Sequence, residues 1–196
     1  KHIDVDNLID FMINVNFAAN RDMPLNLGNS GPNNFWAIRP QDGSHGWRWV
    51  AHDNEHSLGA QDHNVNHNGT GDISTGASTS NLNPRYIHQQ LTENAEYRLR
   101  FVDRVEALFS NDGALTVDNV QAMLDARAAQ IDLAIIAESA RWGDQHNNTP
   151  KTKDTWLAEV DWLRNTFLAQ RGDIVVNQFR SRGWIPSTSY EAPSFS

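Results

Sequence analysis

Apolar residues recur at helical spacing over residues 4–19, where Val5, Leu8, Ile9, Met12, Ile13 and Phe17 form one stripe and Asp4 or Asp6 is placed to cap the start. The period then stops. Residues 20–34, NRDMPLNLGNSGPNN, are rich in Asn, Gly and Pro and read as loop. FWAIRP (35–40) and GWRWVAHD (46–53) read as two short aromatic strands, with Asp42-Gly43 between them suited to a hairpin turn. Alternation in GWRWV puts Trp47 and Trp49 on one face. Most of the three hairpin tryptophans, Trp36, Trp47 and Trp49, are therefore expected between hairpin and helix. Residues 59–83 are a long polar stretch, which is either a flexible surface insertion or a functional loop.

Beyond it the pattern is helical again. Asn83-Pro84 opens a segment to about Gln90, and residues 93–110 carry Tyr97, Phe101, Val105, Leu108 and Phe109 on one side. Thr116 or Asp118 caps a helix to about Trp142, with Val120, Met123, Leu124, Ile131, Ile135 and Ile136 expected inward. Thr152-Lys153-Asp154 opens another helix, Trp156 to Arg171, with a break at Gly172, a continuation from Ile174 to Arg182 and an end at Gly183. The tail IPSTSYEAPSFS is Pro- and Ser-rich. Residues 1–186 thus read as one domain and 187–196 as a linker to a following one. The fold class expected is α+β and mostly helical: one helix, a small β-hairpin, then a helical bundle.

Composition narrows the function. The 196 residues suffice for one core, and 39% hydrophobic with 20% charged residues fits a globular chain. A net charge of −8 with scattered basic residues argues against nucleic acid and against an anionic membrane surface as partners. With no cysteine, disulfides and thiolate metal sites are excluded. The opening Lys1-His2-Ile3-Asp4 runs straight into the first helix, and the chain reads as a piece of a longer protein.

Candidate chemistry gathers between residues 20 and 56, in Asn20, Asp22, Asn33, Asn34, Asp53, Glu55 and His56. Phosphoryl transfer needs a carboxylate to orient the attacking hydroxyl, and an Asp and an Asn to hold magnesium against nucleotide phosphates. Hard oxygen ligands are what this cluster offers. Asn and Asp are also common in loops as caps and Asx-turns, so each has a structural reading as well. Asp53, at the end of an aromatic strand, is the hardest to explain that way. A second constellation is His45, His52, His56, His63 and His67. His52 and His56, with Asp53 or Glu55, would make a zinc-dependent hydrolase site, although HDNEH is not the HExxH arrangement. The seven tryptophans raise a third possibility, a non-catalytic surface or carbohydrate-binding module with Trp36, Trp47 and Trp49 as an exposed platform.

The run NRDMP…NNFWAIRP…GWRWVAHDNEHSLG resembles the spore-coat protein H (CotH) kinase family, and the later LNPRYIHQQLTENAEYRLRFVDRVEALFSNDGALT and ESARWGD…WLAEVDWLRNTFLAQRGDIVVNQFRSRGWIP are similar to its large bacterial members. The resemblance implies an atypical protein kinase that transfers phosphate from ATP to Ser/Thr of a protein substrate, with Mg²⁺ or Mn²⁺, in a secreted or bacterial cell- or spore-surface protein. It implies Asp22 as the catalytic-loop Asp, Asn34 (or Asn33) as the metal-binding Asn at the nucleotide, and Asp53 as the metal-binding Asp. It also implies that the chain is the C-terminal lobe, accompanied by other domains of its parent chain and inactive alone. One departure stands out: Asp53-Asn54-Glu55 replaces the Asp-Leu-Asp of many members.

Overall fold

A computed structural model describes residues 2–27, 31–73, 82–145 and 148–187. The element order is α1 (Val5–Phe17), β1 (Phe35–Ile38), β2 (Arg48–Ala51), α2 (Pro84–Leu91), α3 (Ala95–Phe109), α4 (Val117–Trp142), α5 (Lys153–Trp162), a π-helical segment (Leu163–Leu168) and α6 (Ala169–Ser181). The mostly helical α+β architecture expected from the pattern is what is found. The linker expected at 187–196 lies, apart from Ser187, outside the described residues, as does 74–81 of the long polar stretch.

The first helix is the hub. Asp4 accepts from the Asn7 N–H at 3.3 Å, which satisfies one orphan donor of the first turn. The predicted stripe is inward, but Phe11 and Val15 are buried as well, so α1 is covered on nearly every side, by β2, α2, α3 and α6. Its exposed carboxylates face α3. Asp6 and Asp10 receive two-pronged bonds of 2.6–2.7 Å from Arg100 and Arg104, one helical turn apart on each helix.

The two strands pair antiparallel, with Trp36 opposite Val50 and Ala37 opposite Trp49. Two devices seat the hairpin on α1. The Asn7 side chain donates to the Trp49 carbonyl at 3.2 Å and accepts the Trp49 N–H at 2.6 Å, behaving like a backbone partner. The Asp4 N–H donates to the Trp47 carbonyl, and the Trp47 N–H to that of His2, each at 3.0 Å. This close approach explains Gly46: a Cβ there would meet the Ile3 backbone at 2.5 Å. Trp49 is 2% exposed and Trp47 half-buried, on one face as alternation requires. Most of the hairpin tryptophans thus pack inward as expected, and Trp36 is the exception. It is 62% exposed, on the outer face beside Ile38 and Val50, because the strand's other face is the one pressed on α1.

Two helical expectations need correction. On α4 only Val120 is fully buried, while Met123 and Ile136 face outward, so the apolar stripe is narrower than the composition suggests. Gly172 does not break a helix. α5 passes into the π-helical segment and α6 runs straight through Gly172. The wider turn re-registers the helix so that Phe167, Leu168, Arg171 and Val175 all reach the core. Helix α6 does close at Gly183, at φ +68°.

Arg171 is the deepest cation. It is 0% exposed, and its guanidinium donates to the carbonyls of Phe17 (2.9 Å), Val65 (2.7 Å) and Asn16. Burial pushes its pKa down to about 10. The side chain ties α6 to the end of α1 and to the polar stretch. Residues 59–73 are therefore no free insertion: Gln178 donates to the carbonyls of Asn66 and His67, and Thr70 is buried.

Candidate phosphate and metal site

The loop that leaves α1 turns sharply at Ala19 (φ +52°) and Asn20, and the Asn20 side chain braces the turn on both sides. Buried, it accepts the Asp22 N–H at 2.8 Å and donates to Asn54 Oδ1 at 3.1 Å. Two backbone bonds join the same segments: Arg21 N–H to the His56 carbonyl (3.0 Å) and Leu58 N–H to that of Ala18 (2.6 Å). Arg21 also pairs with Asp62. Loop 18–22 and loop 54–62 are thus stitched together, although they are far apart in sequence.

Asp22 is half-buried and both its oxygens are occupied. Oδ1 accepts the Leu27 N–H at 2.8 Å, and Oδ2 accepts the Nδ2 of Asn33 and of Asn34, each at 2.9 Å. A carboxylate can only accept, so both amides must present nitrogen to it, and their oxygens stay available as hard ligands. The structure therefore brings Asp22, Asn33 and Asn34 into one cluster.

Asp53 comes to the same end of the hairpin. The His52 N–H donates to the Asn34 carbonyl at 2.9 Å, one pair beyond Phe35–Ala51, and Asp53 is the next residue. Its side chain is exposed and unpaired among the described residues. Asn34 (φ +57°) and Asp53 (φ +54°) both hold left-handed backbone, which Asn and Asp tolerate best. Such conformations cluster at functional sites. Among the described residues no three His, Asp or Glu side chains converge on a possible metal position. The hard oxygen groups at this end of the hairpin are the Asp53 carboxylate and the amide oxygens of Asn33 and Asn34.

The histidine reading finds no such geometry. His56 Nδ1 faces the Gln61 amide and its Nε2 lies 3.4 Å from Glu55, while the His52 ring stands edge-on to Trp36 at 6.0 Å. His63 bonds Glu159 at 2.6 Å and stacks on Trp162. A tryptophan platform is also ruled out, since Trp49 is core and its Nε1–H donates to the Leu82 carbonyl at 2.8 Å.

Beyond Asn54 opens a cleft of about 840 Å³, walled by loop 54–63, the end of α4, and α5 with Trp156 and Trp162. Sequence reading did not anticipate this cleft. Nor did it anticipate the roles of Arg21, Asn54 and Asp62, which depend on a pairing between distant loops that no spacing reveals.

A helical lobe carries a hairpin whose open end gathers one Asp and two Asn, with a further Asp at the strand end. The family model described as CotH kinase protein matches residues 1–175, and the chain belongs to that family. A search of curated proteins and one of solved structures returned no match.

Proposed function

We propose that this chain is the metal–phosphate half of an ATP-dependent protein kinase, acting with Mg²⁺ or Mn²⁺ on Ser/Thr hydroxyls of a protein substrate. The observation that carries it is the Asp22 carboxylate held by Asn33 and Asn34. Together with family membership it gives each residue a task. Asp22, fixed as an acceptor, orients the incoming hydroxyl and takes its proton. Asn34, its nitrogen committed to Asp22, offers its amide oxygen as a ligand, and Asp53 supplies the charged one. Asn33 shares the hold on Asp22 and lies at the nucleotide. A divalent ion bound there neutralises charge on the transferring phosphate. Glu55, exposed two residues on, lies 3.4 Å from the His56 ring nitrogen and takes no role in this reading.

The same reading assigns the protein to a secreted or spore- or cell-surface setting, with the nucleotide clamped from above by another part of a longer parent chain. The isolated 196 residues would then fold yet transfer little phosphate. The test is radiolabelled ATP with the full-length natural protein, its Asp22→Asn and Asp53→Asn variants, and the isolated chain. Labelling by the natural protein alone is expected. Robust labelling by either variant would remove the assignment.

A further inference from the structure

Behind the loop that carries Asp22 is a second, smaller cavity of about 210 Å³ that the phosphotransfer reading does not use. Its floor is apolar, formed by Met12, Val15 and Met23. Its polar walls are Asn20, Arg21, His67, Asn68 and Arg85, and no carboxylate lines it. We propose that this cavity is an anion site that takes a phosphate monoester.

The charge distribution supports this. Arg21 has Asp62 as partner, but Arg85 has no carboxylate in ion-pair range among the described residues. Asp72, the acid nearest to it electrostatically, is bound to Arg182 instead. Arg85 spends its Nε and Nη2 on one acceptor, the Gly71 carbonyl at 3.2 and 2.6 Å, which leaves guanidinium donors over. Arg171 adds a buried cation close by. Burial first, then the positive charge of Arg171 and Arg21, holds the His67 ring below its ordinary pKa against the opposite pull of Asp62, and Arg85 adds a last, smaller push downward. The wall is thus a cationic surface short of anions. A phosphate, with two charges and three acceptor oxygens, matches a wall of guanidinium and imidazole donors better than a carboxylate does.

The cavity also touches the chemistry. Asn20 lines it and accepts the Asp22 N–H, so a bound phosphate rests against the loop that positions Asp22. In the phosphotransfer reading, on which this last step rests, the site holds an acceptor already phosphorylated near the target hydroxyl, and makes such acceptors preferred.

The test needs neither ATP turnover nor metal. The His67 ring is followed by NMR in the isolated chain during titration with inorganic phosphate, a phosphoserine peptide, its unphosphorylated twin, and metal-free ATP. Phosphate and phosphopeptide should raise the His67 pKa saturably and the unphosphorylated peptide should not. Arg85→Gln should weaken binding about tenfold or more. Arg85→Lys, which keeps the charge, should retain most of it, and thermal melting checks that both variants are folded. A larger response to ATP than to phosphopeptide would assign the phosphate to nucleotide and overturn the acceptor role alone. No saturable shift with any phosphate, or equal binding by folded Arg85→Gln, would overturn the site. Because no transfer is measured, phosphate binding could persist even where kinase activity fails.

Discussion

Acid should loosen this fold through His88. The ring is 1% exposed, enclosed by Phe101, Tyr97 and Trp184, with Nδ1 2.7 Å from the Tyr97 hydroxyl and Nε2 without a partner among the described residues. Burial, reinforced by the nearby Arg85 charge, drives its pKa from 6.5 down to about 3. A depressed histidine favours the neutral form in the folded state, so below about pH 6.5 the unfolded chain takes up a proton that the folded one refuses. Stability from this group is complete above that pH and is lost as the pH falls toward 3. At pH 5 the linkage amounts to about 2 kcal/mol, against a few tenths at pH 7. For a chain of this size that is about 4–8 °C of melting temperature. His88→Phe removes the titration while keeping the ring packing. Thermal melts at pH 7 and pH 5 should show a drop about 4–8 °C smaller in the variant than in the natural chain, whatever the variant's absolute stability. Equal drops in the two proteins would refute the reasoning, because exposed acids and histidines contribute to both alike.

Arg171→Met should cost about 3–5 kcal/mol in urea unfolding, since it orphans three carbonyls, two of them buried, and a loss under about 1 kcal/mol would mean water replaces the guanidinium. Gly59→Ala should destabilise by about 1–3 kcal/mol and expose loop 54–63 to protease, because φ is +73° and the new Cβ would stand 2.6 Å from the Trp162 ring. Trp49→Ser should cost about 3 kcal/mol or more while Trp36→Ser stays within about 0.5, and similar losses in the two would contradict the assignment of hairpin faces.

Local pattern made the helices legible. The stripes of α1 and α3 face the core as their spacing requires, and Thr116 and Asn83 stand where helices begin. Period alone misled where tertiary partners decide. On α4, Met123 and Ile136 look like core by spacing, but both stand more than half exposed. Gly172 looks like a break, but the chain absorbs the change of register in a π-turn a few residues earlier. The candidate site was legible only as a set of residue types: Asp22, Asn33, Asn34 and Asp53 are chemically conspicuous near a strand end. How they are held was not. Asn7 acting as a strand partner for Trp49 and Asn20 joining Asp22 to Asn54 are long-range amide bonds that no sequence window contains.

Whether Asp53 and Asn34 jointly hold a divalent ion is best read from Mn²⁺ binding to the isolated chain, followed by electron paramagnetic resonance with and without ATP. Saturable Mn²⁺ uptake, tightened by ATP and lost in both Asp53→Asn and Asn34→Ala with melting curves near that of the natural chain, is the predicted result. Mn²⁺·ATP binding undiminished in these folded variants would contradict the account.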